Sequence, residues 1–109
     1  MNNAPHPLTT VNDLTFPSEV LAADRRVLVD VTAAWCAPCR AAEPALAELA
    51  RDQASELKVV RIDGEESPAL VAQLGVRGFP TFLIYEHGRE VKRQAGFRNA
   101  KTLRDFVSP

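Results

Sequence analysis

Two runs of β-branched residues on either side of a helical segment constrain the fold more than any other feature. Val27 to Val31 reads Val-Leu-Val-Asp-Val, and Leu57 to Ile62 is a second run of the same kind. Short, nearly continuous apolar runs are typical of strands that are covered on both faces. The Ala-, Glu- and Leu-rich segment between them, which ends near Asp52, is predicted to be a helix with a kink at Pro44. A strand–helix–strand unit makes its two strands parallel, so a central sheet with a parallel pair is predicted.

The end of the chain carries the pattern of an antiparallel hairpin followed by a helix. Thr81 to Tyr85 and Glu90 to Gln94 are strand-like and flank His87-Gly88, a turn sequence typical of β-hairpins. Asn99 is predicted to cap the last, amphipathic helix because its side chain can accept a hydrogen bond from a free helical N–H.

Three shorter elements complete the predicted order. Thr15 to Ala23 opens with a capping residue and an early proline and is predicted to be a short helix. Pro68 to Leu74 is predicted to be a helix that ends at Gly75. Residues 8 to 11 are predicted to add an edge strand. The resulting fold class is α/β, with a mixed central sheet and helices on both faces.

Composition limits the classes of protein that this chain can belong to. A chain of 109 residues, 46% hydrophobic and 25% charged, is expected to form one domain, residues 1–109, with residues 1–7 as a flexible N-terminal tail. The net charge of −1 gives no electrostatic reason to expect nucleic acid or an anionic membrane as partner. No apolar run approaches a membrane span, and residues 1–10 do not resemble a secretory signal.

The two cysteines are only three positions apart, separated by Ala37 and Pro38. A disulfide that closes so small a ring contributes about 2 kcal/mol by chain entropy, against about 4.7 kcal/mol for a 100-residue loop. The pair is therefore poorly placed as a structural crosslink and well placed as a reversible dithiol.

The position of this pair, after a buried strand and at the first turn of a helix, favours redox chemistry. Free N–H groups and the positive end of the helix dipole stabilise a thiolate there. Cys36 is predicted to be the more exposed thiol, with a lowered pKa, and thus the nucleophile. Cys39, one turn further, is predicted to be more buried and to resolve the mixed disulfide. Pro38 suits early-helix geometry and stiffens the ring.

Two other interpretations of the cysteine pair are a zinc site and simple packing. Zinc requires four ligands, and the chain has no second cysteine pair. The two histidines, His6 and His87, are predicted to lie in the tail and in the hairpin turn. No metal site is therefore expected.

The chain resembles a thioredoxin. The resemblance covers about residues 8 to 107, and Trp-Cys-x-Pro-Cys followed some forty residues later by Gly-Phe-Pro-Thr is a highly specific combination. The matching positions are Val29-Asp30, Trp35-Cys36-Ala37-Pro38-Cys39-Arg40, Pro44, Arg61-Ile62-Asp63, Gly75-Val76-Arg77-Gly78-Phe79-Pro80-Thr81, Gly88 and Gly96. The resemblance implies the thioredoxin fold, a central mixed sheet of about five strands flanked by about four helices.

The resemblance also implies roles for two residues whose sequence context is ambiguous. An aspartate inside an apolar strand has a raised pKa when it is buried, although Asp30 could equally be a turn or capping residue. In thioredoxins the matching aspartate lies beneath the resolving cysteine and helps to move its proton. Pro80 could simply begin a strand. In thioredoxins the matching X–Pro bond is cis and packs against the disulfide, and the preceding residue, here Phe79, offers backbone groups to the substrate.

The resemblance further implies a shallow apolar substrate-binding patch around the Cys36 sulfur. Trp35 alone could be an ordinary core residue, but the family pattern places it at the rim of this patch. Gly96 and Phe97 are its outer members. The expected members are Trp35, Ala37, Pro38, Phe79, Pro80, Gly96 and Phe97.

Four positions depart from the commonest family pattern. Ala37 replaces a glycine between the cysteines, Arg40 replaces a lysine, and Thr32 replaces an aromatic residue. Val59 is interpreted as occupying the place of a lysine that often neighbours the buried aspartate. The absence of this lysine would leave the carboxyl of Asp30 more strongly desolvated, with a higher pKa.

The function implied by the resemblance is reduction of protein disulfides by dithiol–disulfide exchange in the cytoplasm. The redox-active disulfide Cys36–Cys39 would need no bound cofactor and would be re-reduced by an NADPH-dependent flavin thioredoxin reductase. The protein is expected to be a monomer, with neither nucleic acid nor membrane as partner. Two alternatives are a carrier dedicated to one pathway, outside the cytoplasm, and a non-catalytic binding module built on the same fold.

Overall fold

A computed structural model describes residues 8–109, so the predicted N-terminal tail lies outside the described residues. Residues 8–109 form five strands, three regular α-helices and one short π-helical segment. In chain order these are β1 (Thr9–Val11), the π-helical segment (Pro17–Leu21), β2 (Arg26–Thr32), α1 (Ala37–Asp52), β3 (Leu57–Asp63), α2 (Pro68–Leu74), β4 (Thr81–Glu86), β5 (Arg89–Ala95) and α3 (Ala100–Val107).

The five strands form one mixed sheet in the order β1-β3-β2-β4-β5. Strands β1, β3 and β2 are parallel, whereas β4 runs antiparallel to β2 and β5 antiparallel to β4. The predicted parallel pair, closing hairpin and edge strand are all confirmed. This arrangement is the thioredoxin fold that the motifs predict.

Side chains alternate across the sheet and build two separate core layers. In β2, Leu28 packs under α1 and α3, whereas Val27, Val29 and Val31 pack on the opposite face with residues of the π-helical segment and α2. Because side chains alternate along a strand, Asp30 shares the α1 face with Leu28. The buried aspartate therefore points into the layer between the sheet and α1.

The residues predicted to end α2, to cap α3 and to form the hairpin turn all have these roles in the structure. Gly75 ends α2 in the left-handed region at φ 69°, a conformation that favours glycine. The side chain of Asn99 accepts a hydrogen bond from the N–H of Thr102 at 2.8 Å. His87 and Gly88 both have positive φ, as tight hairpin turns require.

The first predicted helix, Thr15 to Ala23, is shorter than expected. Its regular part covers only Pro17–Leu21, and the N–H of Ala22 donates to the carbonyl of Pro17, five residues back. The hydroxyl of Thr15 accepts a hydrogen bond from the N–H of Asn12 rather than capping a helix. A side-chain-stabilised turn therefore occupies the start of the predicted helix.

Candidate active site

The cysteine pair lies at the N-terminus of α1, directly after the loop that follows β2. Cys36 is the N-cap residue, and its sulfur accepts a hydrogen bond from the N–H of Cys39 at 3.2 Å. The two residues form a disulfide with a Cα–Cα distance of 5.2 Å, within the ordinary range for such bonds. The Sγ of Cys36 therefore occupies the place where a helix stabilises negative charge most strongly.

Both cysteines are buried in this disulfide form. Cys36 is 4% exposed and Cys39 is 2% exposed, so the predicted difference in accessibility between the two thiols is small here. Ala33 packs against the pair from the preceding loop. The larger exposure expected for Cys36 stays a prediction for the reduced form.

The loop before β4 approaches the disulfide with its backbone. The Phe79–Pro80 peptide bond is cis, as predicted, and the carbonyl oxygen of Phe79 lies 3.5 Å from the Sγ of Cys36. The carbonyl of Pro80 accepts a hydrogen bond from the N–H of Gly96 at 2.8 Å. This bond connects the loop after β5 to the loop beside the disulfide.

Aromatic side chains cover one side of the cysteine pair. The indole of Trp35 is 65% exposed, so it lies at the rim of the site as expected and is not a core residue. Its ring meets the half-buried ring of Phe79 edge to face, with 6.0 Å between centroids. Ala37 and Pro38, between the cysteines, are both exposed. The disulfide is therefore bordered by an accessible apolar surface.

Gly64, just after β3, is a site residue that sequence reasoning missed. A Cβ at this position would lie 2.5 Å from Cζ of Phe79, so the ring occupies space that only glycine leaves free. The N–H of Gly64 also donates to the carbonyl of Thr32 at 2.7 Å, which fixes this loop to the end of β2. A glycine directly after a buried strand was the available signal for such a close approach.

The outer members of the predicted patch differ in their surroundings. Gly96 is exposed at φ 83° and is connected to the site by its hydrogen bond to Pro80. Phe97 is half-buried and packs against the core layer beneath α1 and α3. Both residues line a cleft of about 370 Å³ together with Arg98 and Thr102. The cleft continues the surface beyond Gly96, away from the disulfide.

Asp30 is buried between the sheet and α1 with an incomplete set of hydrogen bonds. The residue is 2% exposed, and its Oδ1 has no hydrogen-bond partner. Burial raises the pKa of Asp30 to about 7; the Arg61 guanidinium opposes this rise and the Glu43 carboxylate adds to it. The carboxyl group therefore titrates near neutrality.

The interpretation of Val59 as the position of a missing cation is wrong. Val59 is a buried core residue beneath α1. Parallel pairing of β2 and β3 places Arg61 opposite Asp30, and Nε of Arg61 lies 4.0 Å from Oδ2 of Asp30. The cation beside the buried carboxyl is therefore present and is an arginine.

Two other kinds of structure are absent from residues 8–109. These residues contain no group of three or more His, Cys, Asp and Glu side chains arranged to hold a metal ion. Within the same range, no helix combines the length and apolar character that crossing a bilayer requires.

Comparison with known proteins places this geometry in a family. A family model named Thioredoxin matches residues 7–109. Thioredoxin 1 from Nostoc sp. is 41% identical over 93 residues, which cover 85% of this chain and 87% of that protein. Thioredoxin from Haemophilus influenzae is 37% identical over 98 residues, covering 90% and 92% of the two chains. Thioredoxin from Rickettsia bellii is 32% identical over 100 residues, covering 92% and 95%.

The family match and the Cys36–Cys39 disulfide agree on the chemistry of the site. A disulfide at a helix N-terminus, bordered by an exposed apolar surface, is suited to exchange with disulfides of other proteins. Membership implies proteins with disulfides as substrates and a thioredoxin reductase as partner. This chain belongs to the thioredoxin family and is a thiol–disulfide oxidoreductase whose redox-active pair is Cys36 and Cys39.

Proposed function

We propose that the protein is a general reductant of protein disulfides in which Cys36 is the nucleophile and Cys39 the resolving thiol. The observation that carries this assignment is the N-cap position of Cys36, whose sulfur accepts the Cys39 N–H. That position lowers the pKa of a thiol, and only a thiolate attacks a disulfide. Cys39 lies inside the first helical turn, within reach of the Cys36 sulfur.

The proposed reaction transfers two electrons in two exchange steps. The Cys36 thiolate forms a bond to one client sulfur, and the second client sulfur leaves as a thiolate that takes up a proton. Cys39, after losing its proton, attacks the Cys36 sulfur of this mixed disulfide. The first client sulfur, which was bonded to Cys36, then leaves as a thiolate and is protonated, so the client gains two electrons and two protons while Cys36–Cys39 becomes oxidised.

Asp30 is proposed to accept the proton that Cys39 loses. Both side chains are buried, that of Asp30 on the α1 face of β2 and that of Cys39 in the first turn of α1. The pKa of Asp30, raised to about 7 by burial, lies close to the pH at which such an acceptor works best. Its unpaired Oδ1 is available to receive the proton.

The client is proposed to bind across the apolar surface around the disulfide. Trp35, Ala37 and Pro38 would form one side of this surface. The backbone of Phe79, fixed beside the sulfur by the cis bond to Pro80, would pair with an extended client segment. Gly96 and Phe97 would extend the contact along the neighbouring cleft.

The reductase partner, the cellular compartment and the oligomeric state belong to the same proposal. Oxidised protein would be returned to the dithiol form by an NADPH-dependent flavin thioredoxin reductase, and no cofactor would be bound to this chain itself. We propose a cytoplasmic monomer with residues 1–109 as one domain, because a general reductant needs an accessible site and a reducing compartment.

Trapping of the mixed disulfide tests the assigned order of the cysteines. Cys39→Ser should accumulate a covalent complex with a disulfide-containing client, joined through Cys36, whereas Cys36→Ser should form none. Mass spectrometry of the trapped complex identifies the bonded cysteine. A complex joined through Cys39 would reverse the assignment. A double Cys→Ser variant that retains full function would favour the binding-module alternative.

A further inference from the structure

A cleft opens beside Arg61, the cation next to the Asp30 carboxyl, where β2 and β3 end near the start of α1. Its volume is about 430 Å³, and charged side chains from α1 and from β3 line it. Glu43 and Arg40 contribute from α1, and Arg61 and Asp63 contribute from β3. None of the residues proposed to bind the client lines this cleft.

Arg61 lies between two carboxyl groups at this cleft. Its Nη2 is 3.5 Å from Oε2 of Glu43, and its Nε is 4.0 Å from Oδ2 of Asp30. Both distances exceed the 2.7–2.9 Å of a charge-assisted hydrogen bond. Nε of Arg61 and Oδ1 of Asp30 are both buried without a hydrogen-bond partner. A buried donor and a buried acceptor thus lie near one another without forming the bond that would satisfy both.

The difference in exposure between the two carboxyl groups explains why the Arg61 guanidinium lies between them and does not pair closely with Asp30. The Glu43 side chain is 49% exposed, so water solvates its carboxylate. Asp30 is 2% exposed, and burial opposes its ionisation. Burial therefore weakens the attraction of the Arg61 guanidinium to Asp30, whereas its attraction to the exposed Glu43 is not weakened in this way.

We propose that Glu43 is a positioning residue that holds the Arg61 guanidinium toward the cleft and thereby keeps the Asp30 carboxyl free to take up and release a proton. A close Arg61–Asp30 ion pair would fix Asp30 as a carboxylate and remove its proton-carrying role. This inference rests on the proposed function, in which Asp30 accepts the proton of Cys39.

The other charged groups around Asp30 favour this assignment to Glu43. On α1 they are Arg40 and Glu43, with Cys39 held in the disulfide, and on β3 they are Arg61 and Asp63. The residue of β4 that lies opposite Asp30 is Phe82, which carries no charge. Arg40 donates to the carbonyl of Ala34 at 2.9 Å, and Asp63 accepts from the N–H of Glu65 at 2.9 Å. Glu43 is the acid of this group that contacts Arg61.

Removal of the Glu43 charge should lower the pKa of Asp30. Glu43→Gln keeps the shape and helix propensity of the side chain while it removes the negative charge that attracts Arg61 and repels the Asp30 carboxylate. Loss of this one charge should shift the Asp30 pKa downward by about 0.5 unit, and more if Arg61 then pairs with Asp30. Glu43→Asp, which keeps the charge, should shift it less.

Two measurements on the same variants test this proposal. Carboxyl-selective NMR titration of the oxidised protein gives the pKa of Asp30 directly, without any assumption about catalysis. The pH profile of client-disulfide reduction, measured on the reduced protein, should move to lower pH by the same amount in Glu43→Gln. Glu48→Gln removes an exposed carboxylate from the same helix and should leave both measurements unchanged.

The outcomes separate this proposal from the one on which it rests. An unchanged or raised Asp30 pKa in Glu43→Gln overturns the positioning role of Glu43 and leaves the proton-acceptor role of Asp30 intact. A pH profile that Asp30→Asn leaves unchanged refutes the proton-acceptor role itself, and with it any effect of Glu43 on the reaction. A lower Asp30 pKa together with an acid-shifted profile, both smaller in Glu43→Asp, supports the proposal.

Discussion

Replacement of Asp30 by asparagine should stabilise the oxidised protein, and by more at high pH than at low pH. The folded protein holds the Asp30 proton up to a pKa of about 7, whereas the unfolded chain releases it near 3.8. The folded state therefore binds more protons between these values, and stability falls as the pH rises through this window. Above pH 7 the full cost of ionising a buried carboxyl is present. Asparagine keeps the shape and carries no charge.

The magnitude follows from the size of this pKa shift. At about 1.4 kcal/mol per pKa unit, a rise from 3.8 to about 7 corresponds to about 4 kcal/mol once the carboxyl is fully ionised. At pH 5 only part of this penalty has developed. The stability advantage of Asp30→Asn should therefore grow by roughly 2 to 3 kcal/mol between pH 5 and pH 8. The burial of Asp30 means that solvent screening reduces this figure little.

Urea unfolding of both proteins, followed by far-UV circular dichroism, measures the difference directly. Working with the oxidised form removes the cysteines from the titration, and other groups cancel between the two proteins. Asp52→Asn, which changes an exposed carboxylate at the end of α1, should alter stability by less than about 0.5 kcal/mol at either pH. A stability difference between Asp30→Asn and the parent that does not depend on pH would refute the raised pKa of Asp30.

Two further substitutions test the surface around the disulfide. Gly64→Ala should displace the Phe79 ring and destabilise the protein by about 1–3 kcal/mol in urea unfolding, because the new Cβ would lie 2.5 Å from Cζ of that ring. Gly78→Ala, whose Cβ would meet nothing within 4 Å, should cost far less, and equal losses would contradict this reasoning. Trp35→Ala should raise KM for a protein client roughly tenfold without changing reduction of the disulfide by dithiothreitol. An unchanged KM, or an equal effect from Leu14→Ala at another exposed apolar position, would remove Trp35 from the client surface.

The elements of the fold were predictable because their signals are local. β-branched runs mark β2 and β3, and His87-Gly88 marks the turn of the hairpin. Gly75 marks the end of α2 because few other residues adopt its backbone conformation. The extent of the first helix was mispredicted because the side chains of Asn12 and Thr15 hold the preceding residues in a turn, and helix propensity does not show these hydrogen bonds.

The residues missed at the site depend on distant contacts. The proximity of Arg61 to Asp30 follows from the register of β2 against β3, which a one-residue difference in the assumed pairing would have changed. The position of Gly64 directly after a buried strand signals a close approach, but the partner, the ring of Phe79, is known only from the structure. The role proposed for Glu43 requires both facts together, since the contact joins α1 to β3. None of these relations is visible in spacing along the chain.

The redox potential of the Cys36–Cys39 pair tests the central claim most directly. Equilibration in glutathione or dithiothreitol buffers, followed by the fluorescence of Trp35 beside the disulfide, gives this potential. We expect a reversible two-electron couple with a potential near −270 mV, well below the potential of the glutathione pool. A potential above about −200 mV would make the protein an oxidant or isomerase, and failure to form a reversible disulfide would contradict the proposed chemistry altogether.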